Sequence, residues 1–332
     1  MSVPLVSVVL PVRDAASTVG RAARSILEST LRELELLVID DGSTDNTAEV
    51  VQQINDPRLR LIQQAQSGVC AAANRGSSEA RAPVIARMDA DDFSHPRRLE
   101  KQFDFLQQSG VDMVGCRVSI VDTLGQAVPS LQRYQQWSNT LISPERITAM
   151  RFVELPIVNP TLMARREVFE LGYRDGDWPE DYDLCLRALG QARRAAKVPE
   201  VLFDWVDSGE RLTRNDPRYS SDAFDRCRRT HLMDGPLSKI REVDLWGAGQ
   251  TGKPWLRWLQ AKGFHVRQVI EVSPKKIGSK IHGVPVIADT ALPPPDGIPL
   301  IIAVGAVGAR ELIETELLKK GYTPGEDAWF VC

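Results

Sequence analysis

Short apolar segments alternate with helical patterns in the first part of the sequence, and this alternation is the strongest constraint on the fold. Strands are predicted at residues 6–10, 34–39, 59–62, 84–88 and 112–121, and helices at 17–30, 46–54, 68–80 and 97–109. Continuous apolar strands joined by helices predict an α/β fold with a parallel sheet that is covered on both faces.

The regular alternation stops after residue 125 and resumes at 242. Between these points helices are predicted at 144–152, 166–171, 181–190 and 221–233, and later strands at 243–246, 266–272, 284–287 and 300–304. An average domain has about 150 residues, so a chain of 332 predicts two domains. We expect one domain over 1–235, with halves at 1–125 and 126–220, and a small Rossmann-like domain over 240–332.

The composition argues against several classes of protein. Lys plus Arg total 41 and Asp plus Glu total 44, so the net charge of −3 argues against a nucleic-acid binder that works through bulk charge. No stretch reaches the roughly 20 apolar residues that a membrane-spanning helix needs. The five cysteines form no Cys-x-x-Cys pair, which argues against a disulfide framework or a thiolate metal site. A reduced, cytoplasmic protein is therefore expected.

Acidic residues follow three of the predicted strands. Asp14 comes shortly after the first strand, Asp40-Asp41 after the second, and Asp89-Ala90-Asp91-Asp92 after the fourth. Ligands of an open parallel sheet bind beyond the carboxyl ends of its strands, so these side chains are expected along one edge. Carboxylates brought together repel unless a cation is present, and Mg²⁺ is held by one or two carboxylates plus substrate phosphates. The alternative is that each aspartate caps the helix that follows it.

Several segments, taken in order, resemble the family 2 glycosyltransferases of GT-A fold. These segments are 6–11, 37–45, 86–92, 95–102, 159–163 and 178–187. The resemblance covers residues 4–220. It implies an inverting, metal-dependent transfer of a sugar from a nucleotide-diphosphate sugar to an acceptor hydroxyl. It also implies a saccharide or lipid-linked acceptor and a place in cell-envelope or polysaccharide biosynthesis.

The resemblance implies roles for residues on the donor side. Asp41 would bind the base of the donor, with Pro11 beside it. Asp89 would contact the ribose or help to hold the metal, and Asp91 would coordinate the divalent cation, Mg²⁺ or Mn²⁺, that bridges the diphosphate. Arg87 would approach the donor; the alternative is an ordinary surface arginine at the end of a strand.

On the acceptor side, the resemblance implies that Asp181 is the general base, with Glu180 beside it. A carboxylate suits this role if it comes within about 3 Å of the acceptor hydroxyl. Asp183 is the second candidate for the base. The alternative for Asp181 is a helix N-cap or first-turn acid, favoured by the helix dipole.

The sequence departs from the common family pattern at two places. Arg13-Asp14 stand where many members have an asparagine after the first strand, and the loop at 205–214 lacks the histidine that many members carry. Asp207 would replace that histidine as a polar partner, and Arg211 or Arg214 would bind diphosphate. The alternative for both arginines is solvated loop charge.

The C-terminal domain carries a possible nucleotide-binding pattern. Gly247, Gly249 and Gly252 follow a strand and open a helix, and Glu271 ends the next strand, as a dinucleotide-binding fingerprint requires. One alternative reading of the whole chain is therefore an oxidoreductase that uses a nucleotide cofactor. A second alternative is a non-catalytic nucleotide-sugar-binding protein. For this domain itself, a structural or oligomerisation role is favoured.

A group of basic residues suggests contact with a membrane surface. Arg187, Arg193, Arg194 and Lys197 lie close together in the sequence and would face anionic phospholipid or a lipid-diphosphate acceptor. This predicts a peripheral protein at the inner face of a membrane, with positive charge segregated from the acidic edge. The alternative is a solvated helix end.

Overall fold

The computed structural model describes residues 3–209 and 211–332, with the backbone alone for Leu212. By packing, the chain divides into two units. The first runs to Ile147 and continues over Leu155–Phe224, and the second consists of Thr148–Glu154 and Asp225–Cys332. The division therefore comes before the predicted boundary at 235, and a short internal segment belongs to the second unit. Residues 1, 2 and 210 of the predicted first domain lie outside the described residues.

A mixed sheet forms the centre of the first unit. Its strands are β1 Val6–Val12, β2 Leu34–Asp41, β3 Leu59–Gln64, β4 Val84–Arg87, β5 Phe93–Ser94, β6 Met113–Asp122, β7 Met163–Arg165 and β8 Ala195–Asp207. Their order across the sheet is β3-β2-β1-β4-β7-β6-β8-β5. The predicted parallel arrangement is confirmed for β1 to β4, because β1 pairs in parallel with both β2 and β4. The strands β5 and β7 run antiparallel to their neighbours.

Helices join the strands of this sheet. They are α1 Val19–Leu27, α2 Thr47–Gln52, α3 Val69–Glu79, α4 Arg98–Ser109, α5 Gln132–Thr140, α7 Arg166–Phe169, α8 Glu180–Gly190 and α9 Leu212–Asn215. Two further helices, α6 Pro144–Met150 and α10 Ser221–Asp234, begin in the first unit and end in the second. The apolar face of α1, formed by Val19, Ala22, Ala23 and Ile26, packs into the same core as the inward side chains of β1. Burying a side chain such as Ile26 contributes about 1.5–3 kcal/mol.

Close packing of α3 depends on one glycine. A Cβ at Gly76 would lie 2.3 Å from Cγ1 of Val9 and 3.1 Å from Cγ1 of Ile39, so this helix rests directly on β1 and β2. The contact fixes the loops that leave the carboxyl ends of these two strands, where ligands of such sheets bind.

The long strand β8 was not predicted from the sequence. It pairs in parallel with β6 from Met113 opposite Ala195 to Asp122 opposite Asp207, with register shifts around Arg117. Its pattern is interrupted by Lys197, which is fully buried and donates hydrogen bonds to the backbone oxygen and hydroxyl of Ser138. A buried charged residue that has specific partners breaks the apolar pattern by which strands are predicted.

The second unit has its own largely parallel sheet. Its strands are β9 Glu242–Trp246, β10 His265–Glu271, β11 Lys280–Ile281, β12 Val284–Ala288, β13 Leu300–Ile302 and β14 Ala328–Phe330, in the order β11-β12-β10-β9-β13-β14. Its helices include α11 Gly252–Ala261 and α12 Ala309–Lys319. The segment Thr148–Glu154 packs here because the Arg151 guanidinium lies over the ring of Trp329, 4.6 Å from its centroid. Among the described residues, no helix is long and apolar enough to cross a lipid bilayer.

Candidate functional site

The loop after β1 is fastened to the loop after β2. The N–H of Asp14 donates to Oγ of Ser43 at 3.0 Å, and the Asp14 carboxylate accepts from the N–H of Thr44 at 2.7 Å. That backbone hydrogen bond is the main cause that lowers the pKa of Asp14. Asp14 adopts a positive φ of 48°, a strained conformation held in place by these bonds. The Gly-Ser-Thr-Asp run after β2 therefore shapes the first loop, and Asp14 stands where many family members have an asparagine.

Asp41 is buried at the end of β2 and organises the loop before α3. Its Oδ1 accepts from the side-chain amide of Gln64 at 2.7 Å and from the N–H of Ser67 at 2.8 Å, and its Oδ2 accepts from the N–H of Gly68 at 2.8 Å. A carboxylate oxygen can accept two hydrogen bonds, so Oδ2 keeps capacity for one more donor. Pro11, on the neighbouring strand β1, is opposite Ile39 in the sheet. The structure thus gives Asp41 a supporting role that the sequence did not reveal.

Arg87 links the turn after β4 to the ring of Tyr173. It is buried, and it donates to Oδ1 of Asp89 at 3.1 Å and to the backbone oxygen of Val9 at 3.2 Å. Its guanidinium lies 5.7 Å from the ring centroid of Tyr173, whose hydroxyl donates to Oδ1 of Asn159 at 3.1 Å. The alternative for Arg87, an ordinary surface arginine at the end of a strand, is therefore wrong, because the side chain is buried and donates a hydrogen bond to Asp89.

The three aspartates that follow β4 surround one arginine. Arg211 Nη1 lies 2.8 Å from Oδ1 of Asp92 and 3.5 Å from Oδ2 of Asp91, and Nη2 lies 3.7 Å from Oδ2 of Asp89. Asp92 has no exposed surface, and its Oδ2 finds no hydrogen-bond partner among the described residues. Burial raises the pKa of both Asp91 and Asp92, although the positive charge of Arg211 opposes this.

The carboxylates of Asp89 and Asp91 suit a divalent cation. Both are partly exposed and both approach the same guanidinium, so their oxygens converge. Among the described residues, no group of three or more His, Cys, Asp or Glu side chains is placed to hold a metal ion. Mg²⁺ in proteins is usually bound by one or two carboxylates, and substrate phosphates occupy further coordination positions. The donor set therefore fits a cation that binds together with a diphosphate.

Asp181 lies at the start of α8 beside a small apolar cavity. Asn159, Leu162 and Leu184 are among the residues that line the cavity with it. Burial raises the pKa of Asp181 well above its usual value, and the negative charges of Glu180 and Asp89 raise it further. Its Oδ1 accepts from the N–H of Tyr182 at 2.7 Å. A carboxyl with a raised pKa beside a cavity is a candidate for a general base.

Glu180 and Asp183 make different contacts from Asp181. Oε2 of buried Glu180 accepts from the hydroxyl of Tyr219 at 2.7 Å, and burial raises the pKa of Glu180. Asp183 is fully buried and accepts from Nε of Arg187 at 2.8 Å. Arg187 also donates to the backbone oxygen of Leu171 at 2.8 Å. These contacts make Asp183 a structural ion-pair partner rather than the second candidate for the base.

The predicted basic surface does not exist as one patch. Arg187 is buried against Asp183, and Lys197 is fully buried beneath the sheet surface. Arg193 pairs with Asp112 at 3.3 Å, while Arg194 is exposed and lies 3.9 Å from Glu145. The prediction of a membrane-facing cluster was wrong. Arg187 lies at the end of α8 and Lys197 in β8, so residues close in sequence point in different directions.

Asp207, Arg211 and Arg214 of the loop at 205–214 have partners within the first unit. Asp207 is paired with Arg214, and its expected role in place of the histidine stays a prediction. Arg211 is buried and its guanidinium lies 5.0 Å from the ring centroid of Trp205. Solvated loop charge, the alternative reading for both arginines, does not describe Arg211. Its partners follow another strand more than a hundred residues earlier, so no local sequence signal could have identified them.

In the second unit, the glycine pattern has structural causes. A Cβ at Gly252 would lie 1.9 Å from the oxygen of Gly247, and a Cβ at Gly247 would lie 2.5 Å from the oxygen of Ala303. At Gly249 the space for a Cβ is open, as a closely approaching ligand would require. Glu271 accepts from Nζ of Lys276 at 2.8 Å and from the N–H of Val272 at 3.0 Å. Nucleotide binding by this unit stays a prediction.

Two side chains of the site carried no recognisable signal in the sequence. Tyr173 is held between α3 and the site, because Asn74 exchanges hydrogen bonds with its backbone. Tyr219 lies in the short 3-10 helix Pro217–Tyr219 and reaches Glu180 from there. No sequence pattern connects an aromatic residue in a polar loop with a distant carboxylate. The contacts of Tyr173 and Tyr219 are therefore visible only in the folded structure.

Comparisons with known proteins identify the family of this chain. The sequence profile of glycosyl transferase family 2 matches residues 7–172. The chain is 30% identical to EpsE of Bacillus subtilis, whose name describes a glycosyltransferase, over 71% of this chain and 85% of EpsE. It is 29% identical to the O-antigen biosynthesis glycosyltransferase WbnJ of Escherichia coli, over 56% of this chain and 72% of WbnJ.

Two solved structures share the fold. One is residues 1–349 of S. aureus TarS in complex with UDP-GlcNAc, with a TM-score of 0.56 and 19% identity, over 69% of this chain and 67% of that one. The other is a Pyrobaculum calidifontis mannosyltransferase in complex with GDP-Man and Mn²⁺, with a TM-score of 0.50 and 20% identity, over 78% and 69%. At this identity the likeness concerns the GT-A fold alone.

The different contacts of Asp183 and Asp181 lead to a stability prediction. Asp183→Asn leaves the buried charge of Arg187 without its partner, so we expect the free energy of unfolding to fall by about 3–5 kcal/mol. Urea unfolding followed by circular dichroism measures this loss. As a control, the exposed Asp175→Asn should change it by less than about 0.5 kcal/mol. An unchanged stability of Asp183→Asn would contradict the structural assignment.

Proposed function

Because the chain belongs to glycosyl transferase family 2 and is a glycosyltransferase, we propose that it moves a sugar from a nucleotide-diphosphate sugar to an acceptor hydroxyl with inversion. One observation carries this proposal. A chain of contacts leads from Asp89, proposed for the donor, to the cavity of Asp181, proposed for the acceptor: Arg87 donates to Asp89 and its guanidinium lies 5.7 Å from the ring centroid of Tyr173. Tyr173 in turn binds Asn159, which lines the same cavity as Asp181.

The donor would bind along the carboxyl ends of β1, β2 and β4. Asp41 would accept a hydrogen bond from the base through its Oδ2, with Pro11 beside it. Asp89 would contact the ribose or coordinate the divalent cation together with Asp91, and Arg87 would hold Asp89 in place. A bound Mg²⁺ or Mn²⁺ would supply charge neutralisation for the diphosphate that leaves.

Asp181 would take the proton of the acceptor hydroxyl. The hydroxyl oxygen then attacks the anomeric carbon, its new bond forming as the bond to the diphosphate breaks on the opposite face, which inverts the configuration. The raised pKa of Asp181 makes it a stronger base than an exposed aspartate. Glu180 would support this carboxylate from the preceding position in α8.

The acceptor is proposed to be a saccharide or a lipid-linked saccharide of polysaccharide or cell-envelope assembly. The relation to WbnJ, an O-antigen biosynthesis glycosyltransferase, supports this class. The second unit is proposed to serve oligomerisation or structure. The basic group no longer supports peripheral contact with a membrane, since two of its four residues, Arg187 and Lys197, are buried.

A nucleotide screen tests the donor class. We expect UDP or GDP together with Mn²⁺ to raise the melting temperature of the protein by several degrees, because a ligand that binds only the folded state stabilises it. Asp91→Asn should lose most of this shift. If neither the diphosphates nor their sugar conjugates bind in the presence of Mn²⁺ or Mg²⁺, the proposed donor class is wrong.

The role of Asp181 is tested by one substitution. Asp181→Asn removes the proton acceptor and keeps the shape, so we expect the transfer rate to fall by about 10²–10⁴-fold. The affinity for the nucleoside diphosphate, measured by calorimetry, should stay within a factor of about two. The control Asp175→Asn, an exposed carboxylate, should transfer sugar at the wild-type rate, and the proposal fails if Asp181→Asn does so as well.

The pH profile provides a separate check of the same group. Asp181 acts in its ionised form, so the transfer rate should fall as the pH drops through its raised pKa. Glu180→Gln removes a negative charge that helps to raise the pKa of Asp181, and should therefore move the acidic limb to lower pH. Asp175→Asn is again the control. A limb that stays in place, or moves to higher pH, would assign the titration to another group.

A further inference from the structure

Arg211 is an unusual neighbour for a predicted metal site. Its guanidinium approaches all three carboxylates of the turn after β4, at 2.8 Å from Asp92, 3.5 Å from Asp91 and 3.7 Å from Asp89. It is only 8% exposed. Nη1 also donates to the backbone oxygen of Val206 at 2.6 Å. Arg211 is therefore a buried cation close to three carboxylates, of which Asp89 also pairs with buried Arg87 at 3.1 Å.

The position of Arg211 conflicts with that of a divalent cation on the same oxygens. A cation bound by Oδ2 of Asp89 and Oδ2 of Asp91 would lie beside the guanidinium that already faces both oxygens. Repulsion between such charges is strong where water is largely excluded. Removal of Arg211, in turn, would take away one of the two hydrogen bonds that Oδ1 of Asp92 accepts, while Oδ2 has no hydrogen-bond partner among the described residues. The two cations therefore compete for one acidic turn.

We propose that Arg211 is a resident counter-cation that competes with the divalent cation for Asp89 and Asp91. The divalent cation binds these two carboxylates only when Arg211 moves away from them. A nucleoside diphosphate favours this exchange, because its phosphate oxygens bind the cation and its negative charge binds the guanidinium. A guanidinium fork matches phosphate oxygens in geometry and charge. Arg211 thus makes metal binding depend on the nucleotide. This inference rests on the proposed function for the identity of the ligands.

Metal affinity without nucleotide tests the competition directly. Titration of the whole protein with Mn²⁺ alone, followed by electron paramagnetic resonance, measures free and bound metal. Arg211→Gln should bind Mn²⁺ about tenfold or more tightly than the wild type, since one opposing charge has been removed. Arg211→Lys keeps the charge and should lie closer to the wild type. Arg97→Gln, which removes an exposed arginine paired only weakly with Glu200 at 3.9 Å, is the matched control.

A measurement on the wild type covers the case in which Arg211→Gln does not fold. Phenylglyoxal modifies accessible arginines, and mass spectrometry follows each site. Saturating Mn²⁺ should speed the modification of Arg211 severalfold and leave Arg97 unchanged as the internal reference. An unchanged rate at Arg211 under saturating Mn²⁺ overturns the proposal, as does a folded Arg211→Gln protein whose affinity for Mn²⁺ equals or falls below that of the wild type.

The outcomes also separate this inference from the proposed function. If the wild type binds Mn²⁺ with UDP or GDP but the Arg211 measurements show no competition, the inference alone fails. If no variant binds Mn²⁺ with or without nucleotide, both the inference and the metal-dependent donor site fail.

Discussion

The candidate site depends on one buried carboxylate, that of Asp92. Its Oδ1 accepts hydrogen bonds from the N–H of Val206 and from Arg211, each at 2.8 Å. Asp92 follows β4, whereas Val206 lies near the end of β8, so one side chain joins two segments far apart in the sequence. A buried charge is tolerated only when it is paired and hydrogen-bonded. The neighbouring Asp89 and Asp91 owe their positions to this anchor, because they share its turn.

Burial holds the acidic side chains of the site in place, and it also lowers the stability of the fold when these side chains are ionised. Burial raises the pKa of Asp91, Asp92, Glu180 and Asp181. An acid with a raised pKa in the folded state binds a proton that the unfolded chain has released, so the fold loses stability as pH rises from the unfolded value through the raised one. The apolar packing of β1 to β4 against their helices must offset this loss. Perturbed acids grouped beside a cavity are typical of functional sites.

The parts of the fold that could be predicted are those with one local cause. The strands β1 to β4 are continuous apolar segments between helices, and their parallel order follows from that pattern. The strand β8 has no such pattern, because Lys197 is buried by hydrogen bonds to Ser138 that only the tertiary structure provides. The strands β5 and β7 have two and three residues and carry too few side chains to show a period.

The site follows the same division. The acidic turns could be located because they end apolar strands, and the structure places Asp89 and Asp91 together. Their partners could not be predicted, since Tyr173, Arg211 and Tyr219 come from loops without a spacing rule. Asp41 and Asp183 were chosen for their chemistry, and both also accept hydrogen bonds that hold the fold together, which the sequence could not predict.

Several arginines of the first unit pair locally with carboxylates rather than forming a separate basic surface. Arg187 is matched by Asp183, Arg193 by Asp112 and Arg214 by Asp207. In the turn after β4, three carboxylates face two guanidinium groups, because Arg211 approaches all three and Arg87 also donates to Asp89. Burial favours the protonated form of Asp92, which reduces the excess of negative charge. The partly exposed Asp89 and Asp91 therefore already face positive charge within the protein, and a divalent cation must compete with Arg211 for them.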